Sequence, residues 1–436
     1  MTATMDGPQR WRTLGTAALG VFIGCGETPT RQWTASSTTQ SDEHGAAEDS
    51  SSTGAPDPAL SDEACAAAGG AFGVLARHSL HAEFPENLHP QSLDAPGLAV
   101  GPDGLWAGIV GAQDPDEQDP PGYELQVGFD GTVLQPVQSN AHPWAGGTWW
   151  PGASTVLVSH CRDDIPGWAF LDTQGEPLSE SSLPPDDAEC VRSPAAAWVS
   201  ESAALVTWLD PHNGCDGGST CVRVTQADLE GHGPAVDLFD AGDYGPGTTV
   251  SVAAGPSSAL VVMLRVDEEL EIVTQPIGHD GAPIDSATAT LLPLSPEPGD
   301  SPTFQEARVV ADQGDGFYVF VGGWGYSTGR MHIGAAGEVL EPLIALPPIV
   351  DIIVWGVYDH LDRINPRPGG SVAIGGAVNG GFVQTMLSAI SPQGDLVGHV
   401  LLPSSTAVAT ATDGERLWAL GIGGGVVLYE LGCVLP

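Results

Sequence analysis

The feature that most constrains the fold is a short unit that recurs along residues 98–424: an apolar strand, a tight turn and a second apolar strand. The unit occurs in six clear copies and in one weaker copy, TWWPGASTVLVSH (148–160). The turn centres are about 44 to 58 residues apart, a period typical of small β units that stack on one another. The six clear copies are LAVGPDGLWAGIVG (98–111), AAAWVSESAALVTWL (195–209), VSVAAGPSSALVVML (250–264), RVVADQGDGFYVFVGG (308–323), INPRPGGSVAIGGAV (364–378) and VATATDGERLWALGIGG (408–424).

A second hairpin follows most copies of this unit, and each has a glycine between its two strands. Tight hairpin turns often require a positive φ, which glycine adopts without steric cost. Two hairpins per repeat predict a four-stranded antiparallel sheet. The turn glycines are Gly131, Gly175, Gly231, Gly281, Gly337 and Gly394.

We count seven such units, the last of which lacks its second hairpin. A ring of four-stranded sheets is a β-propeller. We therefore predict an all-β fold over residues 65–436, a β-propeller with seven four-stranded blades, in which FGVLARHSLHA (72–82) supplies the missing strand. Tandem β-sandwiches, or a sandwich with a smaller β domain, are the alternative.

The repeats resemble degenerate propeller repeats of secreted bacterial proteins. The glycine pairs that end several strands, Gly322-Gly323, Gly375-Gly376 and Gly423-Gly424, are similar to those of kelch repeats. The periodic Trp of kelch repeats has no periodic counterpart here, and the WD dipeptide and the quinone-binding propeller repeat are absent. The resemblance therefore implies a fold and no particular activity.

The N-terminal residues have the pattern of an export signal. Arg10 and Arg12 precede an apolar run from Leu14 to Gly24, which has signal-peptide length and is too short to span a bilayer as a helix. We predict a signal peptide over residues 1–24. Because no other stretch reaches about 18 apolar residues, we predict no transmembrane helix.

The apolar run ends in Phe22-Ile23-Gly24-Cys25, which resembles the bacterial lipobox, although Leu is usual where Phe22 stands. The resemblance implies that Cys25 becomes the lipid-modified first residue of the mature chain and its membrane anchor. By the same resemblance, Gly26 in place of Asp implies the outer membrane. A soluble secreted protein, or a cytoplasmic chain with a chance apolar start, is the alternative.

Residues 25–64 are predicted to be a disordered tether between this anchor and the folded domain. The segment is an acidic linker rich in Ser, Thr and Gly, as in TASSTTQSDEHGAAEDSSSTGAPDP. It offers too little apolar surface to offset the entropy of ordering a chain.

Six cysteines remain besides Cys25, and an even number in an exported protein predicts disulfide bonds. A Cys215–Cys221 bond would close a small turn. Cys161 and Cys190 are close enough in sequence to lie on adjacent strands. Cys65 and Cys433 begin and end the folded region, so a bond between them would pin the ends of a closed ring together.

Composition excludes several functions. The formal net charge is −42, and all 13 basic residues are Arg. Nucleic-acid binding requires clustered cations, so we predict no nucleic-acid partner. The absence of Lys also removes Schiff-base, P-loop and Ser–Lys chemistry. Solubility explains the acidity more simply than a functional acidic surface.

No catalytic or metal-binding motif is recognisable, and we predict no cofactor and no metal site. For the weaker polar candidates, an ordinary surface or turn role is the simpler explanation. These candidates are His78, His81 and His89; the acidic loop 114–122; Asp210, Asn213 and Asp216; and His160, Arg162, Asp163 and Asp164.

Tryptophan is the commonest aromatic residue, with 12 copies. Trp149 and Trp150, together with Trp106, are a candidate stacking platform for sugars or peptides. The first two should face opposite sides of a strand, and Trp149 is the first candidate for binding. Packing between blades is the alternative, and it is favoured for Trp106, Trp198, Trp208 and Trp418.

These features predict a cell-envelope lipoprotein whose propeller binds a protein or glycan through its loop face, without catalysis. The alternatives are a propeller-fold glycan hydrolase or lyase with carboxylates from several blades, and a structural envelope protein without a small ligand. Two carboxylates about 5–10 Å apart in a central cleft would favour an enzyme. An apolar or aromatic loop patch would favour binding.

Overall fold

The computed structural model describes residues 62–80, 93–111, 122–140, 149–152, 154–162, 165–172, 175–182, 194–210, 215, 220–242, 250–266, 270–291, 304–324, 329–346, 358–379, 382–402, 405–423 and 425–435. Every described residue belongs to one compact unit, Ala55–Pro436. The predicted signal peptide, Cys25 and the predicted linker up to residue 61 lie outside the described residues.

The described chain begins with the short helix α1 (Asp62–Ala67) and the strand β1 (Ala71–Ser79). The following strands form antiparallel sheets, the blades, in which neighbours in sequence are mostly neighbours in the sheet. Blade 1 contains β2 (Leu93–Val100), β3 (Leu105–Gly111), β4 (Gly122–Val127) and β5 (Val133–Asn140). Blade 2 contains β6 (Trp149–Pro151), β7 (Thr155–Arg162), β8 (Ile165–Asp172) and β9 (Pro177–Ser182).

Blades 3 to 5 repeat this order. Blade 3 contains β10 (Ala195–Trp198), β11 (Ala203–Asp210), β12 (Cys221–Asp228), the two-residue β13 (Gly231–His232) and β14 (Val236–Asp240). Blade 4 contains β15 (Val250–Ala254), β16 (Ala259–Val266), β17 (Leu270–Ile277) and β18 (Thr288–Leu291). Blade 5 contains β19 (Phe304–Ala311), β20 (Phe317–Trp324), β21 (Gly329–Ile333) and β22 (Val339–Ala345).

Blades 6 and 7 complete the set. Blade 6 contains β23 (Tyr358–Arg367), β24 (Gly370–Asn379), β25 (Phe382–Ile390) and β26 (Leu396–Leu402). Two residue pairs also join β20 of blade 5 to β23 of blade 6. Blade 7 contains β27 (Ser405–Thr412), β28 (Leu417–Gly423) and β29 (Val426–Val434), and β1 is its fourth strand.

The position of a strand within its blade determines its sequence pattern. All seven residues of β28, LWALGIG, are buried, because a middle strand has a neighbouring blade on each face. The outermost strands β9 and β26 instead alternate exposed and half-buried residues for most of their length. This explains why the apolar runs of the repeated unit stand out more clearly in the sequence than the outer strands.

The blades close into a ring. Among the described residues, seven apolar clusters are formed, and each lies between two neighbouring blades. The cluster between blades 7 and 1 closes the circle. The fold is a seven-bladed β-propeller. One residue pair from each cluster, in order from blades 1 and 2 round to blades 7 and 1, is Trp106 and Trp149, Trp168 and Trp208, Val224 and Val261, Leu260 and Phe317, Phe320 and Ile390, Leu387 and Tyr429, and Trp418 and Leu105.

The N-terminal strand completes the last blade, as the sequence predicts. β1 pairs antiparallel with β29, and Phe72 lies opposite Cys433. A disulfide bond joins Cys65, at 5% exposure, to Cys433. The seam of the ring is therefore held by a strand pair and by a covalent bond.

The glycines predicted for the second hairpins have the predicted conformation. All six have positive φ, from 77° at Gly394 to 143° at Gly231. At Gly131 the backbone N–H donates to Gly128 O at 2.9 Å, which closes the turn between β4 and β5. A side chain at these positions would be strained by the backbone conformation alone.

A search of the described helices for a membrane span finds none that is both long and apolar enough.

Candidate functional site

The first strands of the seven blades surround a central cavity of about 1480 Å³. In each blade the cavity is lined where the first strand ends and turns into the second, so this end of the ring presents seven turns around one opening. We call this space the central cavity. Its lining comes from residues 100–102, 149–152, 154, 194–201, 250–254, 308–311, 364–366, 370–371 and 410–413.

One wall of the central cavity is aromatic and belongs to blades 2 and 3. Trp150 and Trp198 are half-buried, pack against the apolar cluster between these blades and line the cavity. Trp198 Nε1 donates a hydrogen bond to Trp150 O at 3.1 Å. The ring of Trp198 meets that of Phe170 edge-on, with centroids 5.8 Å apart. These contacts hold the indole of Trp198 in one orientation.

The wall formed by blades 6 and 7 carries neutral polar groups, with the carboxylate of Asp413 at the turn of blade 7. Asn365 Nδ2 donates to Thr410 Oγ1 at 2.8 Å, which links β23 to β27. Ser371 and Thr412 also line the cavity and are half-buried. Hydroxyl groups both donate and accept hydrogen bonds, so this wall suits a ligand that carries neutral polar groups.

The charged side chains at the cavity are paired or belong to turns. Arg308 Nη2 lies 3.4 Å from Oε2 of the buried Glu306 on the same strand, so their charges offset each other. Asp413 accepts hydrogen bonds from the backbone N–H and guanidinium of Arg416, which order the turn of blade 7. Glu201 is exposed at the turn of blade 3.

A polar network orders the turn of blade 5 beside the cavity. Asp312 Oδ1 accepts from the amides of Gly314 at 2.6 Å and Gly316 at 3.0 Å, and Oδ2 accepts from His332 Nε2 at 2.8 Å. The ring of His332 stacks on Tyr318 at 4.3 Å. Burial alone would raise the pKa of Asp312, but these hydrogen bonds outweigh it and lower the pKa below its ordinary value. The carboxylate is thus ionised at neutral pH and ties the turn to β21.

The structure places the three predicted binding tryptophans differently. Trp149 and Trp150 face opposite sides of β6, as alternation predicts: Trp149 packs between blades 1 and 2, and Trp150 between blades 2 and 3. Trp149 and Trp106 are only 6% and 2% exposed, with ring centroids 4.4 Å apart. Trp149, the first binding candidate, is thus buried although it lies at the cavity wall, and Trp150 is the half-buried member of the pair.

The reason is a slot in blade 1. A Cβ atom built on Gly97 or on Gly108 would lie 2.2 Å from the ring of Trp149, so only glycine at both positions leaves room for the indole. The interpretation of Trp106, Trp208 and Trp418 as packing between blades is confirmed. Trp198 packs in the same way but also lines the cavity, which sequence reasoning missed.

Most other candidates lie elsewhere or outside the described residues. Asp210 is fully buried and forms a 2.6 Å salt bridge with Arg223, so it supports blade 3 rather than a surface cation site. Cys215 and Cys221 form a disulfide bond. Outside the described residues lie His81, His89, residues 114–121 of the acidic loop, Asp163, Asp164, Asn213, Asp216 and Cys190, the predicted partner of Cys161. Within the described part of the chain, no group of three or more His, Cys, Asp or Glu side chains is arranged to hold a metal.

Comparisons with known proteins give structural likeness only. No family model and no curated protein matches the chain. A prolyl endopeptidase matches 79% of the chain at 15% identity and a TM-score of 0.41, and the chain spans about half of that protein, 50%. The β-propeller domain of the Trilobed protease from Pyrococcus furiosus matches 78% of the chain and 94% of its own length, at 9% identity and a TM-score of 0.43.

A third similar structure is the α-L-arabinofuranosidase Arb93A from Fusarium graminearum in complex with an iminosugar inhibitor. It matches 73% of the chain and 98% of its own length, at 12% identity and a TM-score of 0.45. At such values the likeness carries no argument about function. The propeller assignment rests on the seven blades themselves.

Proposed function

We propose that the protein is an exported, lipid-anchored protein of the cell envelope, whose propeller binds a protein or glycan in its central cavity and releases it chemically unchanged. The observation that carries the binding role is the cavity of about 1480 Å³, with an aromatic wall, a neutral polar wall and a balanced internal charge pair. Cavities that are largely apolar, with a few convergent polar groups, are typical of ligand sites.

Blocking the mouth of the cavity tests this role. Ser154 is exposed and lines the cavity at the turn of blade 2, so Ser154→Trp fills the opening without changing the core. Ligands are first selected with the wild-type protein from an array of neutral and acidic glycans and from a random-peptide library. We expect Ser154→Trp to lower the affinity for the selected ligand at least about tenfold, as measured by calorimetry, since the indole occupies the space that the ligand would fill.

The matched control is Ser182→Trp, which changes another exposed serine, at the end of β9 in the same blade, and should keep wild-type affinity. Mass spectrometry of the ligand after long incubation measures turnover. Binding that survives Ser154→Trp, or that Ser182→Trp weakens equally, overturns the assignment to the cavity. A ligand recovered in cleaved form overturns the non-catalytic role and supports the glycan hydrolase or lyase instead.

The location rests on separate features. Disulfide bonds in the described residues fit a protein outside the cytoplasm, where thiols are oxidised. Membrane attachment rests on the lipobox-like sequence at Cys25. In a bacterial host that processes lipoproteins, metabolic labelling with a fatty acid should mark the wild-type chain and miss Cys25→Ser. Equal labelling of the two chains would remove the lipid anchor from the proposal and leave a soluble secreted protein.

A further inference from the structure

We infer that the central cavity is a subsite for a neutral oligosaccharide, stacked on the indoles of Trp150 and Trp198. This inference rests on the proposed binding function and specifies its ligand class. It is carried by three features of the cavity: the state of the two indoles, the kind of polar groups around them, and the charge of the protein.

The two indoles are the inferred platform: both line the cavity, and the contacts of Trp198 fix the orientation of its ring. The indole N–H of Trp198 already donates a hydrogen bond to Trp150 O. The part of the side chain that lines the cavity therefore presents carbon atoms and no free hydrogen-bond donor. A Cβ atom built on Gly152 would lie 2.9 Å from the Trp198 ring, which shows how closely that turn packs against the ring. Flat aromatic surfaces held in place bind with little loss of conformational entropy. The face of a sugar ring that carries C–H groups is the complementary surface.

Neutral hydroxyl and amide groups surround this platform. Ser154 and Ser200 are exposed on the aromatic wall itself, at the turns of blades 2 and 3. Across the cavity lie Asn365, Ser371 and Thr412. A pyranose has the matching chemistry, since it presents an apolar face for stacking and a rim of hydroxyls that donate and accept hydrogen bonds. A purely apolar ligand would cover these polar groups without offering them hydrogen bonds.

The charge distribution favours an uncharged ligand. The formal net charge of the chain is −42, which disfavours approach of an anionic glycan. Arg308 is the sole cation among the described residues that line the cavity, and Glu306 offsets it. An acidic sugar would have to displace this internal pairing, whereas a neutral sugar leaves it intact.

Substitution of the platform tests the inference. The probes are cellohexaose, xylohexaose, mannohexaose and chitohexaose as neutral sugars, hexagalacturonic acid as an acidic sugar, and a proline-rich decapeptide. We expect at least one neutral hexasaccharide to bind the full-length protein. Trp150→Leu, which keeps an apolar side chain but removes the flat ring, should weaken it about tenfold, while Trp150→Phe should stay within about threefold.

A second measurement does not depend on the variants folding. In the wild-type protein, selective saturation of aromatic protons should transfer to the C–H protons of the bound sugar in a difference NMR spectrum. Neutral-sugar binding without this transfer, or with equal affinity in Trp150→Leu and wild type, overturns the stacked subsite.

The outcomes separate this inference from the proposed function. If only the acidic sugar or the peptide binds, and Ser154→Trp abolishes that binding, the cavity remains a binding site and the neutral-glycan inference fails. If none of the probes and none of the array or library ligands bind, the binding function fails together with the inference.

Discussion

Removing the Cys65–Cys433 disulfide, as the double variant Cys65→Ser/Cys433→Ser, is expected to lower the free energy of unfolding by about 6 kcal/mol. The bond joins residues 368 positions apart, so in the unfolded chain it closes a loop that contains nearly the whole propeller. In the chain-entropy model, the stabilisation grows with the logarithm of that loop length. The measurement is urea unfolding of the oxidised protein followed by fluorescence.

The matched control is Cys215→Ser/Cys221→Ser, which removes a disulfide with a separation of only six residues. The same model gives a loss of about 2 kcal/mol for this bond. The seam variant should also show faster protease cleavage near β1, because non-covalent contacts alone, the pairing of β1 with β29 and the packing of Phe72 and Val74 between blades 6 and 7, then hold the N-terminal strand. Equal losses for the two double variants would show that ring closure does not depend on the covalent seam.

Replacing Trp149 with Ala is expected to destabilise the protein by about 3–5 kcal/mol. The indole is 6% exposed, contacts Trp106 and fills the slot left by Gly97 and Gly108, so its removal leaves a cavity between blades 1 and 2. Because those two glycines have no side chains, neither can shift an atom into the space. Denaturant unfolding of the purified variant measures the loss.

The neighbouring residue provides the control for this prediction. Trp150→Leu changes a half-buried side chain that lines the central cavity, and we expect it to cost about 1.5 kcal/mol or less. The two variants therefore separate stability from binding. Trp149→Ala should unfold at a lower denaturant concentration than the wild type. Trp150→Leu should keep nearly wild-type stability but bind the oligosaccharide more weakly. A larger stability loss for Trp150→Leu than for Trp149→Ala would contradict the burial of these two indoles.

Much of the fold was predictable because its signals are local. The spacing of the strand–turn–strand units predicted seven blades, and a lone apolar strand at 72–82 matched the strand missing from the last unit. The turn glycines were predictable for the same reason, since a positive φ is a property of one residue and its immediate neighbours. The Cys65–Cys433 bond followed from topology, because a closed ring brings its two ends together.

The candidate site was predictable only in part. Alternation along β6 correctly placed Trp149 and Trp150 on opposite faces, but alternation does not say which of the two indoles is buried more deeply. That depended on Gly97 and Gly108, two residues of another blade. The polar wall was not predictable either, since Asn365 and Thr410 belong to different blades and meet only because β23 and β27 stand side by side.

By itself, the sequence determined the strand period, the turn conformations and the closure of the ring, because these depend on steric preferences of single residues and on the apolar pattern of short segments. Only the tertiary structure decided how deeply each indole is buried at the cavity wall, and which charges are balanced there. Those properties belong to surfaces made by several blades at once, and no segment of the chain contains them.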